Sequence, residues 1–557
     1  MVSPNARLFS ILASAAVATA ACGAPRPASG PVPAVTGGRL SAGQQATQLL
    51  NRAAFGPRPG DEAALQSIGA TAWIDRQLHP ADIPDDQLDV VMTQFPVWRQ
   101  QSLALTQQNP PQDIFIRNLR TERGVAANAQ FVLTAEDSIA FKLENDRGNG
   151  LVNQFQAAKV ARAQLSERQL LEVMTDFWEN HFSVFAGKMP TRFTLLEWDR
   201  DVIRPRALGK FRDLLGAVAH SPAMLYYLDN WLSIADTVHL TLPEHRAMAK
   251  ANGRRPVMRR KGGLNENYGR ELLELHTLGV DGGYTQQDVI DVARALTGWT
   301  VQNPRDGGGY LFREGAHDAE PKVVLGHRLA AGRGEEDGED VLDIVARHPS
   351  TARFIAFKLA RRLVSDTPPP ALVARAAATF QSTGGDIREV VRTILLSAEF
   401  ASPAAYRAKV KSPFELVVSA RRVLRASPDT TPRTVQAIGR LGEPLFGRLT
   451  PNGWPETGDQ WLNSGSLLDR INFAAQLSQG QFPGAAAQQW PPWATLEIAP
   501  LDRQVDGVVE QLLGGDVSDA SRRAFLGGRS GGSVALARPS LRDLIGLALG
   551  SPEFQRR

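Results

Sequence analysis

Five residues carry side chains that could hold a divalent metal or move a proton: His181, Glu271, Glu274, His317 and Asp318. Imidazole and carboxylate are the usual donors for a hydrolytic metal ion, so together they could bind one and activate water. Glu271 and His181 are the candidates for a catalytic acid, base or ligand. At about 100° per residue, Glu271 falls between the directions of Leu264 and Leu278, in a stripe with Tyr268, Leu272 and Leu275. That position predicts burial. A buried carboxylate needs a cation, a metal or several donors, otherwise its pKa rises until it is neutral. An Arg or amide partner locking two helices would satisfy it as well as a metal would. Glu274, about 60° to one side, could share a ligand with it, whereas His276, about 140° away, could not. The familiar zinc spacing, two histidines four apart around a glutamate, is absent.

His181 shares a helical face with Leu170, Met174, Phe177 and Trp178, while Asp176, Glu179 and Asn180 lie mostly on the other side. A lone His on an apolar stripe reads first as a hydrogen-bonded core residue and second as a ligand or general base. His317, Asp318 and Lys322 fall on a segment expected to project, where they could line a cleft or form a tight turn. A run without acidic residues, Arg246 to Lys261, supplies Arg254, Arg255, Arg259, Arg260 and Lys261 as anion-binding candidates for headgroups, polysaccharide or an acidic protein. No aromatic side chain interleaves it to stack bases, so no nucleic-acid partner is expected.

The elements that must position these residues are helical. With 557 residues, 43% of them hydrophobic and 22% charged, the chain has enough apolar surface for a large core. A formal net charge of +4 is too small to mark a polycation. Its single cysteine excludes a disulfide framework and multi-thiolate metal sites, so any divalent metal would sit on His, Asp and Glu. Capping patterns at Ser166–Gln169, Thr285–Asp288 and Ser412–Glu415 predict helix starts, and Gly279 and Gly298 predict stops. The fold class is all-α, a multi-helix body with one small β-hairpin insertion, in which Tyr310–Arg313 would pair with Lys322–Leu325 inside residues 303–340. Ser221, Ser397 and Ser551 each follow an Arg by nine residues in a repeated pattern, and they read as helix caps rather than nucleophiles.

The N-terminus carries an address. Residues 1–21 read as a secretory signal, with Arg7 before the apolar run Leu8 to Val17. The run is too short to span a bilayer. Ala20-Ala21-Cys22-Gly23 looks like a bacterial lipoprotein box, which makes Cys22 the lipidation site; ordinary cleavage before Ala21 is the alternative. Residues 22–43 then form the lipid-bearing tether, 44–483 the main helical domain and 484–557 a C-terminal helical appendage.

Several runs resemble a known bacterial family. They are Leu50 to Pro57, Phe177 to Phe182, Gly187-Lys188, Leu264 to Gly279, Gly283 to Gln286, Leu296 to Trp299, His317-Asp318, Lys322, Leu325-Gly326, His348-Pro349 and Asn452 to Pro455. Together they resemble the domain of unknown function 1800. The resemblance implies an exported, mainly helical protein of undefined activity, often encoded beside the exported domain of unknown function 1501, which is similar to sulfatases. It supplies no catalytic residues. The resulting expectation is a cell-envelope lipoprotein at the periplasmic face of the outer membrane, binding or assisting a sulfatase-like partner. A metal-assisted hydrolase with a His/Glu/Asp site is the alternative.

Overall fold

Side-chain hydrogen bonds open helices at several of the starts that the sequence marks. Thr285 and Asp288 close a capping box at the start of Gln286–Ala295, and Ser412 and Glu415 do the same for Pro413–Val423. Ser221 and Ser551 cap helices by accepting from the Ala223 and Phe554 amides, whereas Ser397 accepts from the Phe400 amide in a turn that does not continue as a helix. Ser166 behaves differently. Its hydroxyl donates to Asp85 and accepts from the Arg168 amide, so the next helix starts only at Gln169.

The computed structural model describes residues 38–557, apart from 127–128, 189, 252, 254–261, 304–307 and 528–538. Cys22, Arg254, Arg255, Arg259, Arg260 and Lys261 lie outside the described residues. Within them the fold is all-α, with two small two-stranded antiparallel sheets. Among the described residues no helix is long and apolar enough to cross a membrane.

Apolar side chains gather in two cores. One runs from Ala46 to Ala405 and the other from Phe55 to Phe554. The 31-residue helix Ala135–Leu165 serves both, giving Phe155 to the first and Ala157, Ala158, Val160 and Ala161 to the second. Helix Gln169–His181 divides itself similarly, with Leu170, Met174 and Phe177 on one side and Val173 on the other. These two helices therefore form the wall between the cores. The stretch 484–557 shares the second core with the body, helix Leu541–Gly550 packing on Ser464–Ser478. Contacts group all the described residues in one unit.

The insertion differs from its expected form. Tyr310–Phe312 pairs with Trp299–Val301, and Lys322–Val324 pairs with His327–Leu329, so two short ladders replace the single expected pairing. Nor do His317, Asp318 and Lys322 project: they are 0%, 1% and 1% exposed. Their charges are matched from two helices. Arg294 of Gln286–Ala295 donates to both Asp318 oxygens at 2.7 and 3.3 Å, and the Lys322 ammonium lies 2.7 Å from Asp337 of Glu336–Arg347. Asp291 and Asp288 accept from the Val323 and Leu325 amides. Burial raises the cost of the Asp337 carboxylate, but His317 and Lys322 outweigh it and hold its pKa below the usual value. The segment is thus clamped into the seam between two helices.

This clamp makes a stability prediction. Asp318→Asn removes one of the two carboxylates that meet the buried Arg294 guanidinium, leaving Asp291 at 2.7 Å, which costs about 2–3 kcal/mol in urea unfolding. A loss under about 1 kcal/mol, the range of solvated surface pairs, would show that the network is not sealed from water.

Candidate functional site

The residues proposed for chemistry do not converge. His181 is 2% exposed and its ring is walled by Phe177, Trp178, Phe182, Phe354 and His276. Its Nε2 lies 3.1 Å from the His276 carbonyl. Burial first, then Lys358 and His276, push its pKa well below the ordinary value. The imidazole is a neutral core residue. His276 is 0% exposed, and neither ring nitrogen has a partner among the described residues. Burial and the Lys358 charge push it down to about 3.

Glu271 corrects the expectation of burial. It is half-buried, as is Glu274, and it makes no ion pair among the described residues. The physical reason is a change of winding. Helix Glu266–Glu271 passes into a π-helix at Leu272–Thr277, where the Leu278 amide bonds to Leu273, five residues back. The buried pairs Tyr268-Gly269, Leu272-Leu273 and His276-Thr277 recur every four residues, a longer period than the roughly 3.6 of an α-helix. Under-winding keeps this stripe on one side, turns His276 inward and leaves Glu271 beside it. Burial and the neighbouring Glu274 raise the Glu271 pKa. Glu274 accepts from the Tyr284 hydroxyl at 3.4 Å. Among the described residues no three His, Cys, Asp or Glu side chains form a metal-holding group.

Another pocket does gather runs from across the chain. It offers about 50 Å³ and is lined by Lys159, Asp176, Glu179, Asn180, Arg362 and Glu443, with Arg448, Trp454 and Glu456. Arg362 binds Asp176 at 3.0 Å and Glu415 at 3.0 Å, and reaches Glu456 at 3.7 Å. Lys159 bonds Asp176 at 3.0 Å and also Glu179. Burial opposes both cations, but the carboxylates around them overcome it and raise their pKa values. On the far side of Glu415, Arg557 contributes a guanidinium at 2.9 Å.

Asn180 joins the two walls. Its Oδ1 accepts from the Trp454 amide at 2.6 Å, and its Nδ2 donates to the Trp454 carbonyl at 2.9 Å and to Glu456 at 3.3 Å. So close an approach requires glycine at 453, where φ is +72° and a Cβ would stand 2.2 Å from the Asn180 carbonyl oxygen. Arg448 lies 5.3 Å over the Trp454 ring.

Two carboxyls here depart from ordinary acidity. Burial, then Asp176, pushes Glu443 up to about 8, although the Phe414 amide donates to it at 2.8 Å. Burial also raises Glu179 well above its usual value, against the pull of Lys159. At pH 7 Glu443 is a proton donor facing a wall of paired charges. The sequence reading assigned Asp176, Glu179 and Asn180 to the outer face and Glu415 to a cap. The signal that could have exposed the pocket was the pair of runs Phe177–Phe182 and Asn452–Pro455, whose Asn and Trp meet here.

Two pH profiles follow. For His276, the unfolded chain takes up a proton near pH 6.5 while the native ring resists until about 3, so stability is lost as pH falls through that window. Replacing it in His276→Leu flattens this acid slope in denaturation measured between pH 7 and 4; an unchanged slope would place the proton uptake elsewhere. Glu443 has the opposite sign, because its native carboxyl keeps a proton that the unfolded chain releases above about 4.5. Its presence therefore lowers stability as pH rises toward 8. Glu443→Gln should gain stability at pH 8 relative to pH 5, and equal changes at both would contradict a neutral carboxyl.

No curated protein and no solved structure matches the chain. A family model described as a protein of unknown function (DUF1800) matches residues 48–556, almost the whole body just described. The convergence of the 177–182 and 452–455 runs on one pocket is thus a feature inside that match, and the chain belongs to the DUF1800 family.

Proposed function

We propose that the chain is an exported envelope lipoprotein, held by acyl groups on Cys22 at the periplasmic face of the outer membrane. Its body acts as a binding or accessory component for an exported, sulfatase-like protein of the domain of unknown function 1501. The observation that carries the binding reading is the commitment of the catalytic candidates to structure. His181 is sealed among aromatic rings, and His317 and Asp318 are locked to Asp337 and Arg294. The pocket at Asn180 suits recognition: its charges are held in fixed pairs, and its volume admits a small polar group such as a side chain or a sugar hydroxyl. The anchor reading rests on the only thiol of the chain standing in the lipoprotein box.

A hydrolase remains the second reading, favoured by one observation. Burial and the neighbouring Asp176 let Glu443 keep its proton near pH 7, while Asp176 is bound by Lys159 and Arg362, an arrangement that sets a proton donor beside a cation-paired carboxyl. This reading moves the chemistry away from Glu271 and His181.

Fractionation and capture test the proposal together. Cys22→Ser should release the protein from membranes into the soluble fraction, and Asn180→Ala should leave anchoring intact while co-purification of the partner falls at least tenfold. Retention of Cys22→Ser in the membrane fraction would remove the anchor. Undiminished capture by Asn180→Ala would remove the pocket from the binding role.

A further inference from the structure

A second opening, well separated in composition from the pocket at Asn180, has an excess of positive charge. It is a cleft of about 410 Å³ whose lining includes the four arginines Arg58, Arg421, Arg422 and Arg425, against two carboxylates, Asp61 and Glu167. Arg421 and Arg422 are 1% and 2% exposed. Unlike Arg362, they are held chiefly by neutral acceptors. Arg421 donates to the Gln164 side chain at 3.0 Å, to the Pro483 carbonyl at 3.1 Å and to the Ser427 carbonyl. Arg422 donates to the Gly56 and Gln164 carbonyls at 2.8 and 2.7 Å, and Asp61 stands 3.4 Å away.

The acids are largely spoken for. Both Glu167 oxygens accept from Arg58 at 2.8 Å, a bidentate pair. Asp61 serves Arg58 and Arg422 at once, at 3.4 Å from each. Burial pushes Arg421 and Arg422 down to about 10 and about 9, values that still leave both charged at pH 7. Arg425 adds an exposed guanidinium from a backbone with φ of 51°, a left-handed conformation that side chains other than Gly, Asn and Asp seldom adopt. A buried cation anchored by carbonyl dipoles keeps its field available to an incoming anion, and a guanidinium fork matches the spacing of oxyanion oxygens.

We infer that this cleft binds a multiply charged oxyanion, a phosphate or sulfate group carried free or as the monoester headgroup of a lipid. Occupancy would supply the negative charge that the lining lacks, with Arg425 and Arg58 at the rim and Arg421 and Arg422 behind them.

Titration calorimetry on the full chain tests this with inorganic phosphate and sodium sulfate, alongside sedimentation with phosphatidylcholine vesicles with and without phosphatidic acid. Two variants alter the charge of the cleft. Arg425→Asn removes a rim cation with a residue that tolerates the left-handed backbone, and Gln87→Glu adds an anion on an exposed part of the lining. Binding of at least one probe should weaken tenfold or more in each variant that keeps the parent melting temperature, and should weaken further with added salt. A response to the free anions assigns a soluble ligand, and a response only to phosphatidic acid above the phosphatidylcholine baseline assigns a headgroup. Absence of binding by every probe overturns the inference, as does binding that neither folded variant changes.

Discussion

Taking a guanidinium out of water demands acceptors or counter-charges to replace it, and Arg362 shows how far this fold goes to satisfy that demand with carboxylates. One side chain on Pro349–Leu363 bonds Asp176 on Gln169–His181 and Glu415 on Pro413–Val423, and comes within 3.7 Å of Glu456. Each of those carboxylates has a further cation or donor: Lys159, Arg557, or the Asn180 amide. Truncating one partner would strand a charge in low dielectric, so the helices that carry them are fixed relative to one another.

The same constraint explains why residues that look chemically active are structural. Asp318 and Lys322 are drawn into the seam between two helices because Arg294 and Asp337 wait there with opposite charges. His181 and His276 resolve the problem differently, by giving up charge. Burial and the nearby Lys358 ammonium keep both neutral, which lets them pack against Phe182 and Tyr268. Neutral histidines in aromatic walls, matched ion pairs in seams, and a carbonyl-anchored arginine cluster at a cleft are three outcomes of one desolvation cost.

Much of the fold was legible. The helix starts at Thr285 and Ser412 follow from side chains three residues apart, and the stripe Val289, Val292, Ala293 and Leu296 is fully buried as its spacing predicts. The candidate site was legible only in part. His181 is the core residue its apolar face suggested, but Glu271 is displaced by a π-helical turn that a fixed 100° step does not anticipate. Lys159, Glu443 and Arg448 gave no signal of their own, since each stands in an otherwise ordinary helical or loop context.

The amino-acid sequence determined what depends on neighbours within a turn or two: helical class, caps, the glycine stops and the family to which the chain belongs. Tertiary structure alone decided where buried charge is neutralised. Arg362 and Asp176 are 186 residues apart, and Asn180 and Trp454 are 274 apart. Such partners are chosen by the low dielectric of a packed interior, which comes into being only when distant helices have already met.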